Sequence, residues 1–177
     1  KALIIDPTFS EYERACHAFD LEITQLRLNQ SFQFPVEAMA QVVPGVDVVF
    51  LCRPNNPTGT FLAFTELEYL LKLGLETDTT IVIDEAFVHF LFETELSVKK
   101  LLTFYPNLIV LRSLTKIFAI PGLRAGYIMA GGGWIQKLQK KQPPWSVNGI
   151  TAGLLPALLS DRAFMAATRD WLKGECE

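Results

Sequence analysis

The chain has 177 residues, half of them hydrophobic, with a mean hydropathy of +0.25, so it can bury one substantial core and is too apolar for a disordered segment. Sixteen lysines and arginines against nineteen aspartates and glutamates give a net charge of −3, which offers no basic stripe for a phosphate backbone and excludes nucleic acid as an expected partner. Its longest apolar runs are strand-sized, too short for a helical membrane span, and no cleavable signal opens the chain, so no membrane partner is expected and the expectation is a soluble, cytoplasmic protein.

The elements alternate from the first residues onward. A strand is expected over residues 2–5, a helix over 11–19, a strand over 22–26, a helix over 36–42, a strand over 47–52 and a helix over 66–75. A strand over 80–83, a short helix over 98–102 and strands over 108–111 and 125–130 continue the pattern. Helices over 135–139, 147–159 and 163–173 close it, interrupted by Pro143-Pro144. Ser10-Glu11-Tyr12-Glu13 and Thr65-Glu66-Leu67-Glu68 have the spacing of a capping box, which would fix two helix starts. Such alternation predicts an α/β fold with a largely parallel sheet. The chain opens directly on a strand, without an initiator methionine, and stops after an amphipathic stretch, as expected of a piece of a longer chain.

Three cysteines, Cys16, Cys52 and Cys176, are widely spaced and contain no CxxC pair, so reduced thiols are expected rather than a disulfide frame. His17 and His89 form no cluster with them, and no metal is expected. Gly131-Gly132-Gly133 follows a strand but is not completed as GxGxxG, and no GxxxxGK[ST] occurs, which disfavours a nucleotide cofactor.

In open α/β sheets ligands bind beyond the carboxyl ends of the strands, so the polar residues that follow each apolar run belong together. Arg53-Pro54-Asn55-Asn56-Pro57-Thr58-Gly59 follows the third strand, Asp84-Glu85-Ala86-Phe87 the fourth, and Ser113-Leu114-Thr115-Lys116 the fifth. Each has an ordinary alternative. The first is common turn chemistry, the second a solvated strand end or cap, and the third a lysine whose stem lies on apolar surface. Lys116 sits among hydrophobes, and an amine kept from water loses part of its ammonium pKa and can form a Schiff base with an aldehyde. One cofactor, pyridoxal 5′-phosphate, needs all of these together: an amine, a carboxylate for its pyridine nitrogen, and hydroxyl and guanidinium groups for its phosphate. Lys116, Asp84, Ser113, Thr115 and Arg124 supply that set.

These segments, in this order and with Arg124 downstream of the lysine, resemble the large domain of a fold-type I, aspartate-aminotransferase-like (class I/II) pyridoxal phosphate enzyme. Within it the chain resembles the histidinol-phosphate aminotransferase group, and most closely its threonine-phosphate decarboxylase branch of cobalamin synthesis. The finer likeness rests on Ala119-Ile120-Pro121-Gly122-Leu123-Arg124, Asp84-Glu85-Ala86-Phe87 and Gln142-Pro143-Pro144-Trp145-Ser146-Val147-Asn148. The resemblance implies a three-layer, mostly parallel sheet with flanking helices, a cofactor-binding large domain over residues 1–160 that is incomplete at its N-terminus, and a helix over 161–177 leading toward a small domain outside the chain. It implies that Lys116 carries the cofactor and moves the proton at the substrate carbon, and that Asp84 binds the pyridine nitrogen. Asn56 would donate to the ring's 3-oxygen and face the substrate, Ser113 and Arg124 would bind the phosphate, and Phe9 would stack on the ring. Trp145 and Asn148 fall near the substrate pocket by the same likeness.

Phe87 stands where aminotransferases of this group usually carry a tyrosine that donates to the 3-oxygen, and the decarboxylase branch carries phenylalanine there. The resemblance therefore implies a lyase that decarboxylates L-threonine O-3-phosphate to (R)-1-aminopropan-2-ol phosphate, acting as a cytoplasmic homodimer. Transamination of histidinol phosphate or an aromatic amino acid is the second expectation, with a phosphorylated amino acid or amine as the substrate class. A truncated, non-catalytic structural domain is the third.

Overall fold

The computed structural model describes residues 1–91 and 96–175. Six strands form one sheet: β1 (Ala2–Asp6), β2 (Ile23–Arg27), β3 (Val48–Cys52), β4 (Thr80–Asp84), β5 (Leu108–Ser113) and β6 (Gly126–Ala130). Their order is β2-β1-β3-β4-β5-β6, parallel throughout except for the antiparallel β5–β6 pair. Helices α1 (Glu11–Ala18), α2 (Val36–Val42) and α3 (Phe64–Glu76) connect the early strands, and α4 (Gly132–Gln139), α5 (Gly149–Ser160) and α6 (Arg162–Glu175) follow β6.

A parallel sheet covered on both faces selects near-continuous Val, Ile and Leu runs, and period-2 alternation divides them between two layers. Leu3, Ile5, Val49, Leu51, Ile81, Ile83, Leu108 and Val110 form one core with Met39 of α2 and Leu67, Leu70 and Leu71 of α3. The residues between them face the other way. Ala2, Ile4 and Cys52 pack with Tyr12 and Cys16 of α1. The buried spacing along α3, Leu67, Leu70, Leu71 and Gly74, is the i, i+3, i+4, i+7 stripe of a helix lying on a sheet. Two layers of helix around one sheet leave the carboxyl ends of β1, β3, β4 and β5 open together.

Helix starts differ from the capping-box expectation. Ser10 takes a helical backbone (φ −61°, ψ −18°) and its side chain caps nothing, because a capping residue needs extended dihedrals to aim its oxygen at the first turn. Helix α3 begins two residues before Glu66, with extended Ala63 as its cap, and Glu66 Oε2 accepts from the Ala63 N–H at 2.9 Å. Only the glutamate half of the box exists there, since alanine has no acceptor. The helix expected over 98–102 is a 3-10 segment, Val98–Thr103, capped by Ser97, whose Oγ accepts from Lys99 N. Cys176 and the last residue of the expected 161–177 helix lie outside the described residues. No single helix among the described residues is long and apolar enough to cross a membrane.

Candidate active site

The register gathers the polar strand exits on the α1 face. Cys52 pairs with Asp84 and Asp84 with Leu111, so the side chains of these neighbours share a face with Phe50 and Val82, one step earlier in the row. A cavity of about 380 Å³ opens there, and Lys116, Asp84, Asn56, Ser113 and Arg124 all line it. Phe9 and Phe87 line it as well. The structure thus brings every cofactor-binding candidate from four separate strand exits to one cavity.

Asp84 is half-buried at the end of β4, and both of its oxygens are held. Oδ1 accepts from Ala86 N at 2.9 Å and Oδ2 accepts from the Tyr12 hydroxyl at 2.8 Å. Neighbouring Glu85 points to the opposite layer and is wholly buried, so the reading of Asp84-Glu85 as a solvated strand end fails for the glutamate. Its Oε1 accepts from Val98 N at 2.7 Å and its Oε2 from Ser97 Oγ at 3.0 Å. Arg112 Nε and Nη2 reach the same Oε2 at 2.8 Å. This buried ion pair ties the end of β4 to the end of β5 beneath the cavity.

Lys116 is exposed, which corrects the expectation that its apolar neighbours keep it from water. Those neighbours turn away from it: Leu114, Ile117 and Phe118 form a separate cluster with Ala125, against Leu155 and Leu158 of α5 and Met165 of α6. Bonds from Leu114 N to Ala125 O at 3.1 Å and from Ile120 N to Thr115 O at 3.0 Å close the segment into a loop. Among the described residues the Lys116 amine and the Asn56 side-chain amide make no hydrogen bond, so both remain available to a ligand. Ser113 Oγ and Thr115 Oγ1 lie 2.8 Å apart, and Arg124, in the left-handed region at φ 51°, bonds only Pro121 O among the described residues, through Nη1 at 3.0 Å. A Cβ on Gly126, which lines the same cavity, would stand 2.8 Å from Arg112 O, so only glycine allows this approach of β6 to β5.

The loop after β3 is locked from within. Asn55 is buried, and its Nδ2 donates to Pro7 O and Thr58 Oγ1, both at 2.9 Å, while Thr8 Oγ1 donates to its Oδ1 at 2.8 Å. Gly59 completes the turn at φ 73°. The preceding Arg53 is buried with its guanidinium over the rings of Phe61 and Phe64, and its Nη1 donates to Leu96 O. Asn55 therefore builds the loop, and Asn56 is left to face the cavity.

Trp145 and Asn148 do not line this cavity. Trp145 is 95% exposed, and Asn148 caps α5, its Oδ1 accepting from Thr151 N at 2.8 Å and its Nδ2 donating to Leu123 O at 3.1 Å. Tyr12 and Cys52 are among the lining residues that escaped the sequence reading. The signal for Tyr12 was its place three residues beyond Phe9 in the first turn after β1, where an apolar ring with a polar tip faces the strand exits. Burial pushes the Cys52 thiol up from its ordinary pKa, and its Sγ donates to Pro54 O at 3.2 Å, so it packs rather than reacts.

An uncommitted amine, an anchored carboxylate, a free amide, a hydroxyl pair and a guanidinium around one cavity are the donor set that a flat ring with an aldehyde, a ring nitrogen and a phosphate requires. The comparisons with known proteins agree with that fit. Residues 1–176 match the family model described as aminotransferase class I and II, and the chain belongs to that family, whose cofactor is pyridoxal phosphate. It is similar to a threonine-phosphate decarboxylase of Salmonella typhimurium, 35% identical over 99% of this chain and 49% of the relative. It is also similar to a histidinol-phosphate aminotransferase of Photobacterium profundum, 36% identical over 89% of this chain and 41% of the relative. Among solved structures, the histidinol-phosphate aminotransferase of Clostridium acetobutylicum superposes with a TM-score of 0.92 at 31% identity, covering 97% of this chain and 52% of that one. The chain spans about half the length of the curated relatives it matches.

Proposed function

We propose that this chain supplies the cofactor-holding half of a pyridoxal phosphate enzyme that decarboxylates L-threonine O-3-phosphate to (R)-1-aminopropan-2-ol phosphate in cobalamin biosynthesis. The observation that carries the cofactor reading is the meeting of Lys116, Asp84, Asn56, Ser113 and Arg124 at one cavity. When bound, the cofactor supplies an aldehyde to capture amines and a protonated ring that accepts the electrons released as a bond at the substrate carbon breaks. The exposed Lys116 amine would hold the aldehyde and, once the substrate amine displaces it, would be free to carry the proton for that carbon. Asp84 keeps the ring nitrogen protonated, Asn56 donates to the 3-oxygen, and Ser113 and Arg124 hold the phosphate. Phe9 and Phe87 cover the ring with apolar surface, and Phe87 adds no donor. Residues 1–160 form the cofactor domain in this proposal and 161–177 lead toward a small domain. The protein acts as a homodimer in the cytoplasm, where the free, buried Cys16 and Cys52 stay reduced.

Similarity to the Salmonella typhimurium decarboxylase supports this choice, as does Phe87 in place of a donor. Transamination of histidinol phosphate is the second reading, favoured by the similarity to the aminotransferases of Photobacterium profundum and Clostridium acetobutylicum. Incubation with pyridoxal phosphate, borohydride reduction and peptide mapping test the site. Dominant labelling at Lys116, lost in Lys116→Ala, is expected, and labelling scattered over surface lysines would leave a structural domain. Carbon dioxide release from phospho-threonine then separates decarboxylation from amine transfer to a 2-oxo acid.

A further inference from the structure

The first turn of α1 places a buried phenol against the carboxylate that the proposed function assigns to the ring nitrogen. Tyr12 is 6% exposed, and its ring is fixed by stacking on Phe50 at 5.7 Å between centroids, with an interplanar angle of 9°. Phe9 meets it edge-on at 5.7 Å. From that stack the hydroxyl reaches Asp84 Oδ2 at 2.8 Å, across 72 residues of sequence. Burial first, then the charge of Asp84, pushes the Tyr12 hydroxyl far above its ordinary pKa, so it stays protonated and can only donate to the carboxylate.

We propose that Tyr12 is a positioning residue of this site: its hydroxyl holds Asp84 in one orientation, so that the carboxylate presents its remaining lone pairs to a protonated ring nitrogen in the cavity. A carboxylate offers about four lone-pair sites, and Tyr12 and Ala86 N occupy one on each oxygen. The ones left over belong to the cavity that Asp84 and Tyr12 both line. Without the hydroxyl, the Asp84 side chain keeps only the Ala86 bond among the described residues and is free to turn about it.

This inference rests on the proposed function, and a double-substitution cycle keeps the two apart. Pyridoxal phosphate is titrated into the wild-type chain, Tyr12→Phe, Asp84→Asn and the double variant, with binding read by absorbance and the ring nitrogen of ¹⁵N-labelled cofactor by NMR. Tyr12→Phe retains the aromatic stack and is expected to weaken binding about tenfold, as loss of a hydrogen bond to a charged group implies. It also moves the ring-nitrogen signal toward the unprotonated form. In the Asp84→Asn background the same substitution is expected to change binding by less than about threefold. Equal effects in both backgrounds, with an unmoved nitrogen signal, would show that the hydroxyl only packs, and would overturn the inference alone. A wild-type chain that binds no cofactor would remove the proposed function and this inference with it.

Discussion

Replacing Arg112 by methionine tests how the cavity floor is held. Arg112 is 8% exposed and Glu85 0%, and their N···O separation of 2.8 Å corresponds to an attraction of about 6 kcal/mol at an effective dielectric of about 20. Desolvation of two ions, several kcal/mol each, offsets most of that, so the intact pair contributes little net stability. The single variant removes the attraction and the guanidinium's bond to Ser97 Oγ but leaves the desolvation of Glu85 uncompensated. Glu85 then stays buried with Val98 N and Ser97 Oγ as its donors, and His89 Nε2 loses its Arg112 partner. A loss of about 3–5 kcal/mol is expected, about a fifth or more of the stability of an ordinary domain. In a chain of this length it lowers Tm by roughly 6–20 °C.

The assay is urea denaturation of wild type, Arg112→Met, Glu85→Gln and the double variant. The double variant buries no unpaired charge and is expected to recover about 1–3 kcal/mol relative to the sum of the singles. Arg112→Met costing less than about 1 kcal/mol, or a double variant equal to the sum, would refute the view that an orphaned charge sets the penalty. Because the pair joins the residue after Asp84 to the residue before Ser113, Arg112→Met is also expected to weaken cofactor binding under conditions where it remains folded.

Arginine only donates, so His89 accepts Arg112 Nη1 at Nε2 (2.9 Å) and carries its proton on Nδ1, a buried atom without a partner among the described residues. Burial first, then the charges of Arg112 and Lys99, lowers its pKa below the ordinary 6.5, so unfolding takes up a proton and stability falls as pH drops below about 6.5 toward the lowered value. The slope is at most about 1.4 kcal/mol per pH unit, less with solvent screening of a half-buried ring, and His89→Gln should flatten it in denaturation curves recorded across that window. Gly126→Ala forces a Cβ to within 2.8 Å of Arg112 O and is expected to lose about 1–3 kcal/mol by thermal denaturation, with weaker cofactor binding as β6 shifts. Leu71→Ala, at a fully buried position of α3, should lose about 2–5 kcal/mol in the same measurement while the Lys116 labelling pattern persists in the folded fraction.

The strand exits were legible because they combine two local signals: an apolar run long enough for one strand, then residues that either turn the chain or carry charge. Asp84, Asn56, Ser113 and Lys116 each follow such a run, and the parallel register brings them together without any residue having to indicate its neighbour. What the sequence withheld was side-chain direction beyond the strands. Lys116 looked shielded because its neighbours are apolar, yet a closed loop between Leu114 and Ala125 turns Leu114, Ile117 and Phe118 onto α5 and α6 and leaves Lys116 exposed. Ser10 and Thr65 looked like caps by spacing, but a cap is defined by dihedrals that the preceding chain imposes: helical at Ser10, and extended at Ala63 rather than near Thr65. Trp145 and Asn148 were placed by likeness, and neither reaches the cavity.

Asp84 and Glu85 show why adjacent acids diverge. Side chains alternate along an extended strand, so the last residue of β4 faces the α1 layer and the next faces the α2–α3 layer. On the first side the carboxylate meets Tyr12, Ala86 N and an open cavity, and it is left with unused acceptor sites. On the second it meets Arg112, Ser97 and Val98 N, with no access to water. An acid with spare lone pairs beside a cavity can serve a ligand, whereas an acid saturated by a guanidinium can only serve the fold. Exchanging the two by a one-residue slip of β4 would bury a carboxylate built for a cavity and expose the apolar row of Ile81 and Ile83 to the other layer, so the core that fixes the register also fixes which acid is available for chemistry.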